Sequence, residues 1–361
     1  MRRVVVTGLG VVTPLGASLE ATRAGIAAGR AAVGDATLFD ASPFSSRLAG
    51  EVRDLDPRLH FRLPKALKLC DRRTRFAVSA AAMALAHGRF PAGGGDRLGV
   101  AIGTSGSDLG ADDLTAALAR GGEPARAAED TAAFGEAAMA GLNPLWLLVH
   151  LPNMASAHAA IQVEARGPNT TVMTGHAAGL QAVVEGAEWI REGSADAVLA
   201  GGADAPVHAF AFAALEQAGL LSGASPFVPG EGAAVLLLEE LEAAVARGAP
   251  LLAELVAHAL GWDSAAEVAA TAPPVPAALL ERLAGNLLAA HAPAALALAL
   301  ADGLEGPVCA STSGPFGEAC ALAALPAPRT ERNAACPRPA KRSPPASRRS
   351  SPTRSTSPPR R

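Results

Sequence analysis

Residues 166–204 read RGPNTTVMTGHAAGLQAVVEGAEWIREGSADAVLAGGAD. Gly167-Pro168 ends whatever precedes it, and NTTVMT (169–174) has the β-branched content of a short buried strand. Residues 176–193 read as a helix that stops at a glycine, and ADAVLAGGA (195–203) reads as an apolar strand. A strand that runs straight into a helix delivers one residue, His176, to the first helical turn. Helix N-termini carry unpaired N–H groups and a positive partial charge. Such a spot stabilises a thiolate or the oxyanion of acyl transfer. A strand, sharp turn and helix in succession is one way enzymes present a nucleophile. The side chain presented here is an imidazole.

The same alternation extends in both directions. Residues 3–7 predict a strand, followed by a Gly-rich turn, and 17–28 a helix capped near Ser18. Residues 40–63 read as irregular. Residues 72–88 have helical period, 97–104 form a strand, 108–150 are helical with loops, and 153–165 are a further helix. In the second half, 231–247 read as strand then helix and 250–262 as a strand. A helix over 276–291, strands over 294–302 and 306–311, and a last helix beginning in 317–325 complete the pattern. Alternating strands and helices imply a layered α/β domain.

A chain of 361 residues has room for two domains or one large one. Half of the residues are hydrophobic and 18% are charged, a globular profile. Alanine and glycine dominate the apolar share and tyrosine is absent. This suits close helix–sheet packing, and it equally suits a GC-rich codon bias. No uninterrupted apolar run of ~18 residues occurs, so no membrane span is expected. The apolar run after Met1 is broken by Gly8, Gly10 and Pro14, too early for a signal peptide, and a cytoplasmic protein is expected. Cysteines 70, 309, 320 and 336 have neither zinc-ligand nor disulfide-framework spacing. No pair of histidines or carboxylates has metal-ligand spacing, so neither a metal nor a cofactor is expected.

The net charge of −3 hides an asymmetry. Residues 326–361 carry ten Arg or Lys and one acid, Glu331, which is +9; residues 1–325 therefore sum to −12. The Pro/Ser/Arg-rich segment 326–361 has too little apolar surface to offset chain entropy, and disorder is expected there. It reads either as a tail for a nucleic acid or another anionic surface or as a solvated appendage, such as an out-of-frame gene end. No nucleic-acid partner is expected for the folded body.

Other motifs have plain readings. Gly8, Gly10 and Gly16 invite a dinucleotide fingerprint, but Thr13 and Pro14 stand where its third glycine and helix should be. Ser105, Gly106 and Ser107 lack the spacing of a serine-hydrolase elbow and read as a pocket-lining loop. His158 falls on an apolar helix face and reads as a core histidine. His150 and His208 read as loop or helix-end residues.

Taken together, VVVTGLGVVTPLG (4–16), CDRRTRFAVSAA (70–81), GVAIGTSGS (99–107), LPNMASAHAAIQVEARGPN (151–169), the 166–204 segment and PFVPGEGAAVLLLE (226–239) resemble, in order, the landmarks of the β-ketoacyl synthase family. The resemblance covers residues 1–240 well and 241–325 loosely. It implies a thiolase-like five-layered α-β-α-β-α sandwich with two similar halves, the second incomplete. The implied domains are a ketosynthase N-terminal-like domain (1–240), a shortened C-terminal-like half (241–325) and the tail (326–361).

The departures from the family lie at its chemistry. His176 stands at the position of the family's cysteine nucleophile. The family's two catalytic histidines align approximately with Asp302, in Ala301-Asp302-Gly303, and with Pro315, in the stretch 313–317 set against Thr-Gly-His-x-x-Gly. The family lysine falls near Ala310, and the terminal Gly-Phe-Gly-Gly gate has no counterpart. Claisen condensation needs an acyl thioester on sulfur, and each positioned acid–base group is worth ~10²–10⁴-fold. The resemblance thus implies a ketosynthase-like protein of fatty-acid or polyketide assembly that no longer condenses. Its nearest analogue is the chain-length factor, which pairs with an active ketosynthase and acts with acyl carrier protein. A homodimer is the family's default. The alternatives are an acyltransferase or malonyl-thioester decarboxylase using His176, and a truncated, non-functional gene product.

Overall fold

The computed structural model describes residues 2–106, 110–122, 130–223, 226–261, 269, 272–275, 277–313 and 318–328. The strands are β1 (Val4–Val12), β2 (Val33–Asp35), β3 (Leu48–Gly50), β4 (Leu98–Gly103), β5 (Asn169–Val172), β6 (Ala197–Asp204), β7 (Gly232–Glu240), β8 (Ala253–Leu260), β9 (Val308–Ser313) and β10 (Ala319–Pro326). The helices are α1 (Leu19–Ala27), α2 (Arg72–His87), α3 (Ala111–Gly121), α4 (Thr131–Met139), α5 (Trp146–His150), α6 (Met154–Val163), α7 (Ala178–Arg191), α8 (Ala209–Gln217), α9 (Leu241–Arg247), α10 (Ala277–Ala284) and α11 (His291–Asp302).

One eight-stranded sheet runs in the order β5-β4-β6-β7-β1-β8-β10-β9. β4 is parallel to both β5 and β6, and the other pairings are antiparallel. The sheet wraps around α7 and α11. Leu180, Val183 and Ala187 of α7 share a core with Val198 and Leu236 on one wing and with Leu255, Cys320 and Leu322 on the other. Successive residues of a strand face opposite sides. Accordingly Ala234, Leu236 and Leu238 of β7 face α7 and α11, while Ala233, Val235 and Leu237 face α2 and α6. Such strands are buried on both faces and read as continuous apolar runs. On the outer face of β9 and β10, Cys309, Ala319 and Ala321 pack against Ala269 and Ala272. The outer helices, first wing, central helices and second wing thus succeed one another as layers of a mixed α/β fold. The buried Ala77, Ala80, Ala81 and Ala84 of α2 show what the alanine content does: it lets helix and sheet approach closely.

The second half departs from the sequence reading in three places. Residues 294–302, expected as a strand, lie in α11. The run HAPAALALALAD is apolar all round, and periodicity alone cannot separate a buried helix from a buried strand. It is enclosed by both wings, Ala and Leu favour helix, and Pro293 sits in the first turn, where it is tolerated. The single helix expected over 276–291 is interrupted: α10 ends at Ala284, Gly285 turns with φ +76°, and a 3₁₀ turn (Leu288–Ala290) leads into α11. Within the stretch 317–325, expected to begin a helix, Ala319 opens β10, which pairs on both sides with β8 and β9. Central burial overrides alanine's helix propensity there. In the first half, β3 falls within the stretch expected to be irregular.

Pro326 closes β10, opposite Ala253. Residues 329–361, which hold most of the segment expected to be disordered, lie outside the described residues. Among the described residues no helix is long and apolar enough to cross a membrane.

Candidate functional site

The C-terminal ends of β4, β5 and β6 meet at one edge of the sheet, and loops beyond parallel strand ends are where α/β sheets hold ligands. A pocket of 490 Å³ opens there, lined by Ser105 and Gly106 after β4, Gly175 and His176 after β5, and Asp204 at the end of β6. Val207, Phe210, Ala211, Ala214, Leu215 and Leu220 form its apolar wall. Most of that wall is carried by α8, whose N-terminus His208 caps by accepting the Ala211 N–H at Nδ1. The fully buried Phe212 anchors α8, meeting Phe39 and Phe44 edge-on at centroid distances of 4.9 and 5.6 Å. From the second half come Leu288 and Glu318.

His176 occupies a 3₁₀ turn, Gly175–Ala177, between β5 and α7. The helix expected to open directly from the strand is therefore preceded by a tighter turn. Gly175 has φ +61°, a left-handed conformation that favours glycine. A Cβ on it would also collide with the Glu318 carboxylate. The backbone N–H of His176 donates to Glu318 Oε1 at 3.0 Å, and its Nδ1 lies 3.2 Å from the same oxygen. The Phe227 ring meets the imidazole edge-on at 5.8 Å. Burial works to raise the Glu318 pKa. Hydrogen bonds from its own backbone N–H and from the backbone and ring of His176, with the charge of that ring, hold it below the usual carboxylate value. The turn that would receive an anion already holds the protein's own carboxylate.

Asp204 ties the two halves of the site together. Its carboxylate accepts from the Thr104 hydroxyl at 2.7 Å, the Ser105 N–H at 2.9 Å and the Ala289 N–H at 2.8 Å. Burial pushes its carboxyl pKa up, against the pull of those bonds and of the Arg73 charge. The lining cations are paired. Arg72 reaches the buried Glu231 through Nε at 2.7 Å, and Arg73 lies 3.0 Å from Asp71 and donates to the carbonyls of Gly106 and Leu151. His291, at the start of α11, is fixed by the Ala277 carbonyl and the Leu287 N–H; burial lowers its pKa, as does the neighbouring His176.

Of the two residues expected to stand at the family-histidine positions, Asp302 does not join His176 here. Asp302 is at the far end of α11, exposed and ion-paired with Arg23. A twelve-residue helix is ~18 Å long, so the end of α11 near Leu288 and the end bearing Asp302 are well separated. Pro315 lies outside the described residues, as does Ser107 of the expected pocket loop, whose Ser105 and Gly106 do line the pocket. His158 is buried on α6, away from the pocket lining, and His150 ends α5. Among the described residues no cysteine lines the pocket. Cys70, Cys309 and Cys320 are all buried, and burial pushes the thiols of Cys70 and Cys320 up to about 12. Nor do the described residues contain a group of three or more His, Cys, Asp or Glu that could hold a metal ion.

Sequence reasoning missed Glu318, Asp204 and the α8 wall. Asp204 ends the very strand that decided the fold, and a charge closing an apolar run was its signal. Glu318 precedes the apolar run 319–325 in the same way, but that run carries no period that separates strand from helix, so the turn before it is not legible.

Residues 1–244 match the family profile "Beta-ketoacyl synthase, N-terminal domain". The chain is 34% identical over 282 residues to 3-oxoacyl-[acyl-carrier-protein] synthase 2 of Synechocystis sp., covering 73% of this chain and 64% of that protein. It is 35% identical over 283 residues to the tetracenomycin polyketide synthase ketoacyl synthase alpha subunit of Streptomyces glaucescens, covering 70% and 61%. The chain thus spans less than two thirds of the length of these curated relatives. Among solved structures, the ishigamide ketosynthase/chain length factor superposes with a TM-score of 0.74 at 24% identity, covering 90% of this chain and 99% of that one. A β-ketoacyl synthase from Burkholderia phymatum superposes with a TM-score of 0.72 at 20% identity, covering 91% and 100%. These likenesses show the thiolase-like ketosynthase fold. With the strand–turn–helix of residues 169–191 at the edge of a large sheet, and a profile match over two thirds of its length, the chain belongs to the β-ketoacyl synthase family.

Proposed function

We propose that this protein is a ketosynthase-fold member of fatty-acid or polyketide assembly that does not form carbon–carbon bonds, and that it serves as a chain-length-factor-like partner of an active ketosynthase. The observation that carries the reading is the pair His176–Glu318. The nucleophile turn offers an imidazole in place of a thiol, and its backbone N–H, the natural oxyanion donor, is taken at 3.0 Å by a carboxylate. The second half supports the same reading. Ala284-Gly285-Asn286-Leu287-Leu288-Ala289 brings Leu288 to the pocket and has the spacing of the family's Gly-His-x-x-Gly. We therefore place Asn286, rather than Pro315, at that histidine's position. Its side chain bonds Glu281 and the Leu288 N–H and supplies no acid–base group.

The partner kinds follow from the relatives. One neighbour is a ketosynthase/chain length factor, and another is a type II polyketide ketosynthase held with its acyl-carrier protein. A cytoplasmic location, a dimer with itself or with a ketosynthase, and a break between a 1–240 domain and a 241–325 half belong to this proposal. The test is the purified protein with acyl- and malonyl-carrier protein. No 3-oxoacyl product is expected from it alone, and a changed product length when it is added to an intact ketosynthase. Condensation without a partner would overturn the proposal.

A second reading has its own observation. Glu318 holds Nδ1 of His176, and Nε2 takes no hydrogen bond among the described residues, the arrangement of an oriented general base. In that reading the protein transfers acyl groups or decarboxylates malonyl thioesters, and His176→Ala abolishes turnover. A non-functional gene product, the remaining alternative, would show no cooperative melt.

A further inference from the structure

The pocket carries one carboxylate that no family motif explains, and its position bears on what the pocket admits. We propose that Glu318 sets the charge selectivity of the acyl pocket: the pocket accepts neutral acyl thioesters and rejects ligands that end in a carboxylate, malonyl units and free acids alike. This rests on the reading of the pocket as an acyl site.

Glu318 Oε1 takes both donors that the turn presents, the His176 N–H at 3.0 Å and Nδ1 at 3.2 Å. A ligand carboxylate seeking the same donors must displace Glu318 or lie beside it, and two carboxylates sharing one site cannot both stay ionised. Neither lining arginine offers an uncompensated charge. Arg72 is held by Glu231, and Arg73 by Asp71 with the carbonyls of Gly106 and Leu151. Among the described residues, the remaining titratable groups around the turn are His176 itself, His208 at the start of α8, His291 at the start of α11, and Asp204, which has no positive charge to give. Val207, Phe210, Ala211, Ala214, Leu215 and Leu220 make much of the remaining wall apolar, which weakens the screening of that repulsion.

The site is also shaped for the carboxylate. Gly175 leaves out the one side-chain carbon that would collide with Glu318. Glu318 stands immediately before β10, whose first residue pairs with Ser313, so the carboxylate is delivered by a paired strand of the sheet. A thioester carbonyl carries no charge and meets no such repulsion.

The test compares octanoyl-pantetheine with octanoate, titrated calorimetrically into the purified full chain at neutral pH. The wild type is expected to bind the thioester and to bind octanoate at least about tenfold more weakly. Glu318→Gln is expected to bring octanoate within about threefold of the thioester. Glu318→Asp, which keeps the charge, is expected to keep the wider gap. Thermal melts establish that each variant is folded; should Glu318→Gln not fold, the wild-type ratio and the aspartate variant decide. Octanoate binding the wild type as tightly as the thioester, or a gap that persists in a folded Glu318→Gln, overturns the role of Glu318. Failure of the thioester to bind any of the proteins overturns the acyl-pocket reading on which this one rests.

Discussion

Asp204 Oδ2 accepts the N–H of Ala289 at 2.8 Å, across 85 residues of chain, so one buried carboxylate joins the end of β6 to the turn that starts α11. The same carboxylate takes the Thr104 hydroxyl and the Ser105 N–H, and it is therefore a common fastening for three segments of the pocket. Gly179 permits the approach, since a Cβ there would strike the Ala289 carbonyl. Asp204→Ala leaves buried donors without partners and is expected to destabilise the fold by about 2–4 kcal/mol. Asp204→Asn keeps one acceptor oxygen and is expected to cost about half of that. Urea denaturation at neutral pH measures both; a change under about 0.5 kcal/mol in the alanine variant would show that the fastening is not structural.

The Glu318–His176 contact gives stability a pH dependence of definite sign. The folded-state pKa of Glu318 lies below its ordinary 4.5, so its contribution is present above that value and is lost as pH falls through the folded pKa. Glu318→Gln is expected to be less stable than wild type by about 1 kcal/mol at pH 7. The gap should narrow below pH 4.5 and vanish in more acid solution. Paired urea melts at pH 7 and across the acid range read this directly, and a gap that widens with acid would contradict the assignment.

Restoring sulfur alone should not restore chemistry. In His176→Cys the Glu318 carboxylate still takes the backbone N–H of residue 176, and it also opposes formation of a thiolate beside it. No 3-oxoacyl product is expected from His176→Cys, nor from His176→Cys with Glu318→Gln, because among the described residues no catalytic histidine pair lines the pocket from the second half. Mass spectrometry of the carrier-protein products is the check. Condensation by either variant would mean that the second half still supplies those groups.

Arg72→Ala tests the lining charge. Glu231 is fully buried and is held by the Arg72 guanidinium, while its Oε1 also accepts the Val52 N–H. Removing the arginine leaves a buried charge with less compensation, and such losses cost about 3–5 kcal/mol. Because Arg72 is itself partly exposed, the lower end of that range is expected, read from the midpoint of urea unfolding. Burial already raises the Glu231 pKa, so the variant should regain part of its stability at acid pH.

The first half was legible because its signals are local. Gly167-Pro168, the β-branched NTTV and the following apolar helix place His176 at the head of α7, and Ser18 and Gly88 mark helix ends that the structure keeps. The second half was not, because its signals are tertiary. HAPAALALALAD is a helix through enclosure between two wings, and ACALAALP is a strand because β8 and β9 flank it. Both runs are apolar all round, and neither carries a period that would tell helix from strand. The misreading of β10 had a chemical consequence: it hid the turn that sets Glu318 against His176, and that contact is the most informative one in the pocket.

The wrapped sheet also constrains how the chain is made. β1 sits between β7 and β8, with Val4 opposite both Glu240 and Leu255. At the usual ~5–20 residues per second of synthesis, β1 waits about 12–50 s on the ribosome before either neighbour exists. Until then an apolar strand with both edges unpaired must be shielded by other means, and pairings of such long sequence separation form slowly once they are possible. Newly made chains of this protein should therefore depend on ribosome-associated chaperones more than a helical protein of equal length would.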